Sequence, residues 1–484
     1  MMKNINMKYN ISLTKNAKST DNLVILSNNI DFIKTHNFTV QEIEFVEKQM
    51  ADKSEIISVN QYNRHIFICN LKIEKEKYLD LEKFRKTASK LCSKLNKSKI
   101  EQITIVNENS ERDFVIAFAE GLLLANYQFL KHFAKADKKP NTLSKIEILD
   151  ENLKKSDIDE LENIVEAVYI ARDLINEPVS HLNAEQLSAE AKKLGKIAGF
   201  DVEIFDKAKI EKLEMGGLLA VNKGSIDPPT FTILEWKPKN AKNTKPIVLV
   251  GKGIVYDTGG LSLKPTSDSM DYMKCDMSGA AAVIGALFAV AKNEIPVHVV
   301  GLIPATDNRP SGNAYAPGDV ITMYDKSTVE VLNSDAEGRM ILADALSYAQ
   351  KYKPEIVIDI ATLTGSAHVA IGKYGIVTMG NASEKQFEKI TNSGNSVFER
   401  IVRFPFWEEY DELIKSDIAD IKNVGGRDAG AITAGKFLEH FTDYEWIHLD
   451  IAGPSFLKTD DSYRLKGGTG VGVRLFYDFI KNSL

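Results

Sequence analysis

Seven charged residues in three short segments carry the chemistry this sequence could perform. Lys252, Asp257 and Lys264 lie in KGIVYDTGGLSLK (252–264), a Gly-rich stretch directly after the apolar run PIVLV; Asp276 lies in MKCDMSGAAAV; Asp335, Glu337 and Arg339 stand two apart in NSDAEGRM (333–340). In an extended segment a spacing of two turns all three side chains to one side, whereas a helix would spread them around its axis. Gly338 is expected to separate that extended piece from the helix MILADALSYAQ and to let backbone approach a bound group closely. Four carboxylates from three loops, with two lysines and an arginine, are hard donors numerous enough to hold two divalent cations, whose charge would offset the repulsion among the acids.

Other chemistries fit less well. Gly251 and Gly253 begin a dinucleotide-type GxG, but the third glycine of GxGxxG would fall at Tyr256 and no helix start follows. There is no HExxH, and the eight histidines do not cluster, which argues against a His-rich zinc site; His368 and His448 read as structural. The structural alternatives for the charged residues are an internal Lys252–Asp257 ion pair and a helix-start role for Asp276.

These residues must be positioned by an α/β framework. From about residue 180, DVEIF, FTILEW, PIVLV, VHVVGLIP and EIVIDIA read as strands separated by helix-length segments, which predicts a mainly parallel sheet flanked by helices. Ligands in such sheets sit at the carboxyl ends of strands, so the loops after PIVLV, VHVVGLIP and EIVIDIATL are where chemistry is expected. Residues 1–150 read as a smaller N-terminal α/β domain, with HIFICNL and ITIVN as strands, a helix carrying Leu81, Phe84, Ala88, Leu91 and Leu95, and a second from Phe114 to Phe133. The polar stretch AKADKKPNTLSK precedes a domain break near 150, a linking helix spans 151–178 around the pattern Ile158–Ile175, and a catalytic domain covers 179–484.

Composition sets outer limits. With 484 residues, 44% hydrophobic and 26% charged, the chain has material for a large core, which excludes global disorder. The longest strongly apolar run, Ala280–Ala291, is shorter than the roughly 20 residues a membrane span needs, and the polar start MMKNINMKYNISL resembles neither a secretory signal nor a transit peptide. No membrane association and a cytoplasmic location are therefore expected. Cys69, Cys92 and Cys275 form no CxxC and read as buried free thiols. Residues 1–150 carry 24 Lys+Arg against 19 Asp+Glu, leaving 37 against 48 in the remainder. That first surplus is too small for the basic patch of a nucleic-acid binder, and the acidic remainder suits a cation site as well as a soluble surface.

Taken together, the segments resemble the M17 leucyl aminopeptidase family, the cytosol aminopeptidases. NSDAEGRM matches the family's NTDAEGRL with Ser334 and Met340 as conservative changes, and KGIVYDTGGLSLK and MKCDMSGAA match its metal-site segments. Agreement continues through ARDLINEPVSHL (171–182), ATLTG (361–365), NVGGRDAGAITAGKFLEHF (423–441), HLDIAG (448–453) and GGTGVGVRLF (467–476), covering essentially residues 170–484. The resemblance implies a metalloaminopeptidase with two metal ions per subunit, usually zinc, with manganese, cobalt or magnesium able to substitute. Asp257 and Glu337 would bridge the ions, Asp335 would complete one site, and Lys252, as a neutral amine, would complete the other with Asp276. It further implies that Lys264 stabilises the oxyanion, that Arg339 holds a bicarbonate serving as general base, and that Met273, Thr362, Gly365 and Ala452 line the pocket for a first residue such as Leu or Met. Peptide substrates and a homohexamer built as a dimer of trimers follow from the same resemblance. Two readings compete: a DNA-binding or regulatory protein retaining the fold, and a two-metal phosphoesterase using similar acids.

Overall fold

The structure, a computed structural model, describes residues 9–27, 29–108, 110–136 and 140–483. The first eight residues of the polar N-terminus and residues 137–139 of the Lys-rich stretch lie outside the described residues. The chain divides into two compact units, one ending at Glu166 and including Thr459–Leu465, the other formed by Ala167–Lys458 and Lys466–Leu484.

In the first unit a six-stranded sheet runs in the order Asn10–Leu13, Lys145–Leu149, Gln102–Asn107, Leu23–Ser27, His65–Asn70 and Ile56–Asn60. Every pairing is parallel except the last. The strand Lys145–Leu149 has partners on both sides, so the chain up to 150 is tied into this unit, and the division falls inside the helix Lys155–Asn176 expected to link the domains. The helix around Leu81–Leu95 spans Lys77–Lys97. The helix expected over Phe114–Phe133 runs only from Arg112 to Ala125. Asn126 stops it: its amide donates to Leu143 O at 2.9 Å and accepts from Asn96 at 3.0 Å, holding the chain away from a further turn.

The second unit is built on a nine-stranded sheet. Its order is Ile401–Arg403, Ile376–Gly380, Trp446–Asp450, Ile356–Ala361, Ile247–Gly251, Val299–Asn308, Thr230–Trp236 and Asp201–Phe205, with Gly253–Asp257 pairing alongside Val299–Asn308. The central four strands are parallel, whereas Thr230–Trp236, Asp201–Phe205 and Ile376–Gly380 join antiparallel. This mixed, mainly parallel sheet is the α/β architecture expected. Its central strands are buried along their whole length and mostly apolar because both faces are covered. Ser278–Lys292 is buried from Ser278 to Ala291; with the preceding turn it is long and apolar enough to cross a membrane, but it is a core helix of this unit.

Two elements of the second unit also differ from expectation. GIVYD, read as part of a loop, is a short strand. The strand VHVVGLIP continues past Pro304 to Asn308, since Pro304 sits where its missing N–H is tolerated and the last residues pair with Gly253–Asp257.

Candidate metal centre and active site

The charged residues gather at the carboxyl ends of the parallel strands. Lys252 directly follows Ile247–Gly251, Thr362 follows Ile356–Ala361, and Asp257 ends the strand paired with Val299–Asn308. Asp276 lies near the end of the 3-10 helix Met270–Met277, buried rather than capping a helix. Asp335 sits in a turn held by Asn333, whose Oδ1 accepts from the Asp335 N–H at 2.8 Å.

The segment 335–339 is not extended as expected. The helix begins at Glu337, so Gly338 lies in its first turn and separates nothing. Gly338 instead makes room: a Cβ there would lie 2.5 Å from Cε and 2.6 Å from Nζ of Lys252. Helical geometry also separates the three charges. Asp335 and Glu337 join the carboxylate cluster, while Arg339 donates to Asn423 O at 2.7 Å and lies over the Phe437 ring.

Two lysines partition the four acids. Lys252 Nζ lies 2.8 Å from Asp276 Oδ2, 2.8 Å from Glu337 Oε1 and 2.9 Å from Thr362 O. Lys264 Nζ lies 2.8 Å from Asp257 Oδ2 and 2.5 Å from Asp335 Oδ1. The simple Lys252–Asp257 pair considered from sequence is thus replaced by a shared network. Asp257 Oδ1 accepts from Gly259 N at 2.8 Å and from Asn308 Nδ2 at 2.9 Å, and Gly259 achieves this turn at φ +85°, where a Cβ would meet Ser262 O at 2.4 Å.

Electrostatics shows an excess of negative charge. Burial, reinforced by Glu337, pushes Asp257 up to about 7. Burial likewise raises Asp276 and Asp335, against the pull of the lysines. Glu337 alone is held below the ordinary carboxylate range, since Lys252 and Lys264 outweigh its burial. Both lysines remain cationic: burial opposes their charge, and the surrounding carboxylates overcome it. Oxygens of Asp257, Asp335 and Glu337 lie within 4.8 Å of one another, and Glu337 Oε2 is buried with no hydrogen-bond partner among the described residues. Such a donor set fits hard divalent cations.

The family model described as the cytosol aminopeptidase family, catalytic domain, matches residues 169–477. The chain belongs to the cytosol aminopeptidase family. A protein named "Probable cytosol aminopeptidase" from Chlorobium limicola is 46% identical over 82% of this chain and 83% of its own length; one from Chlorobaculum tepidum is 56% identical over 64% and 62%. Among solved structures, the bottromycin maturation enzyme BotP in complex with Mn aligns with TM-score 0.83 and 26% identity over 96% of this chain and 99% of that one. A mutant of tomato leucine aminopeptidase aligns with TM-score 0.84 and 26% identity over 98% and 96%. The chain is therefore an aminopeptidase, a hydrolase acting on peptides, with the two-domain α/β organisation of its family.

Within this aminopeptidase, the remaining residues named from sequence are less tightly assembled. Thr362 belongs to the cluster, donating from its hydroxyl to Asp276 Oδ1 at 2.7 Å. Met273 is half-buried on the 3-10 helix that carries Asp276, Gly365 is exposed at the start of helix Gly365–Ile371, and Ala452 is half-buried after Trp446–Asp450. His448 is structural, buried with Nδ1 2.6 Å from Asp359 Oδ1; His368 is exposed. All three cysteines are buried and free. Sequence reasoning gave no role to Asn308, Asn423 or Asp450. Asn423 takes the Leu332 N–H on its Oδ1 and donates to Asn333 O, shaping the loop before Asp335. The Asp450 carboxylate accepts from Leu363 N, Thr364 Oγ1 and Ala452 N, tying together the loops that carry Thr362 and Ala452.

Proposed function

We propose that this aminopeptidase is a two-metal exopeptidase that removes Leu, Met and similar apolar residues from peptide N-termini. Asp257 and Glu337 would be shared by the two ions, Asp335 would complete one site, and Lys252 with Asp276 would complete the other. Zinc is the favoured metal, with manganese, cobalt or magnesium as substitutes, and the manganese complex of the structural neighbour supports manganese among them. When bound, such ions polarise a carbonyl and acidify water.

The observation that carries this reading is the imbalance of four clustered carboxylates, three buried and Asp335 half-buried, against two ammonium groups, with Glu337 Oε2 unpartnered among the described residues. The chain's own residues divide the remaining work. Lys264 holds a positive charge beside Asp257 and Asp335, suited to stabilise an oxyanion. For Lys252 to serve as a ligand it must surrender its proton, which its burial favours once cations replace the carboxylates' demand for charge. Arg339 is buried, its guanidinium lowered by that burial to about 10 and its Nε without a hydrogen-bond partner among the described residues, so an anion such as bicarbonate would be stabilised there. Met273, Thr362, Gly365 and Ala452 line the first-residue pocket in this reading. The enzyme is a cytoplasmic homohexamer, a dimer of trimers, that binds neither membrane nor nucleic acid.

Hydrolysis of L-leucine p-nitroanilide by chelator-treated protein, before and after return of Zn2+, Mn2+ or Co2+, tests the reading. Loss on chelation and recovery with metal are expected. Absence of activity with every ion, from folded protein, would overturn it.

A further inference from the structure

Asn308 is fully buried at the end of the strand Val299–Asn308, in register opposite Asp257. Its Nδ2 donates twice, to Asp257 Oδ1 and to Ser334 O, each at 2.9 Å. Its backbone carbonyl accepts from Thr258 N at 3.1 Å and Thr258 Oγ1 at 2.8 Å. Both side-chain partners are pure acceptors, a carboxylate and a peptide carbonyl, so the amide must present its NH2 to them and cannot be reversed.

Two consequences follow. With Gly259 N, Asn308 saturates Asp257 Oδ1, leaving Oδ2, the oxygen that faces Lys264, as the one open to a cation. The same NH2 also joins the loop after Asp257 to the segment carrying Asp335 and Glu337, because Ser334 O is its second acceptor and Ser334 Oγ in turn donates to Gly259 O at 2.7 Å. We propose that Asn308 is a positioning residue of the metal centre, selecting the oxygen of Asp257 offered to metal and setting the spacing of two loops that supply ligands. This rests on the two-metal reading above. Side chains that orient ligands from behind in this way typically tune affinity by about 10–100-fold when removed.

The test is competition titration of chelator-stripped full-length protein with Zn2+ and with Mn2+ against a chromogenic chelator, alongside melting curves of the metal-free form. Asn308→Ala is expected to weaken metal binding by about 10–100-fold, with leucine p-nitroanilide turnover climbing back toward the wild-type value as metal is raised to saturation. Tyr315→Phe, which deletes the other hydrogen bond to Ser334 O at 2.8 Å without touching Asp257, is expected to keep metal affinity near wild type even if it melts earlier. Should Asn308→Ala fail to fold, Asn308→Ser, too short to reach both acceptors, carries the same expectation. Wild-type metal affinity in a folded Asn308 variant, or an equal loss in Tyr315→Phe, would overturn the proposal while leaving the two-metal reading intact. A wild-type chain that takes up no metal would bring down both.

Discussion

Each unit of this molecule buries a cluster of charges, and the two clusters differ in balance. In the first unit, Arg85 Nε lies 2.5 Å from Glu120 Oε2, while Glu82 is flanked by Arg85 at 3.9 Å and Lys86 at 3.5 Å and accepts from Tyr463 OH at 2.9 Å. In these contacts among the described residues, two acids face two bases. In the second unit four acids face two lysines, and burial raises three of the four acids. A neutral cluster is complete in itself, and its loss costs stability. A cluster with surplus charge invites a counter-charge from outside, and its loss costs binding.

The largest effect should come from breaking the unbalanced cluster. Glu337→Ala or Asp335→Ala removes a donor from the set within 4.8 Å and is expected to abolish leucine p-nitroanilide hydrolysis and lower bound metal, as read by elemental analysis. Because one of several mutually repelling acids is lost, the metal-free fold should melt close to wild type. Wild-type-like turnover in either variant would end the assignment of ligands.

The balanced cluster should respond in the opposite way. Arg85→Ala leaves Glu120 and Glu82 buried beside less positive charge, a change that typically costs about 3–5 kcal/mol. Chemical denaturation should show that loss, while metal content and turnover per folded molecule stay unchanged. A selective loss of metal would contradict the contrast between the clusters.

Much of the unbalanced cluster was legible in sequence because its members sit where rules of α/β sheets place ligands. PIVLV, EIVIDIA, FTILEW and DVEIF were recognisable from apolar, β-branched content, and Lys252 and Thr362 lie just beyond two of them. What escaped detection was decided by long-range contacts. Pro304 masked the continuation of its strand to Asn308, since a proline signals an end unless the pairing pattern is known. Two-residue spacing suggested an extended 335–339, whereas Gly338 is set by Lys252 crossing the helix, a contact between positions far apart in the chain. Asn423 and Asp450 act through hydrogen bonds to loops on other strands, and an asparagine or aspartate carries no local mark of such a role.

The comparison sharpens if a balanced pair inside the second unit behaves like the first unit's cluster. His448 and Asp359 are such a pair, both wholly buried, with Trp446 Nε1 donating to Asp359 Oδ2 at 2.7 Å. Burial opposes the imidazolium, but the Asp359 carboxylate outweighs it and raises His448 above its ordinary value. A raised histidine contributes stability that is fully present below the ordinary value, near pH 6.5, and fades as pH climbs through the raised one. Asp359→Asn should therefore lower the melting temperature more at pH 6 than at pH 9, by less than Arg85→Ala does, without altering metal content. A deficit that is the same at both pH values would mean that the wild-type pair carries no net proton linkage, and that its bond is neutral packing rather than balanced charge.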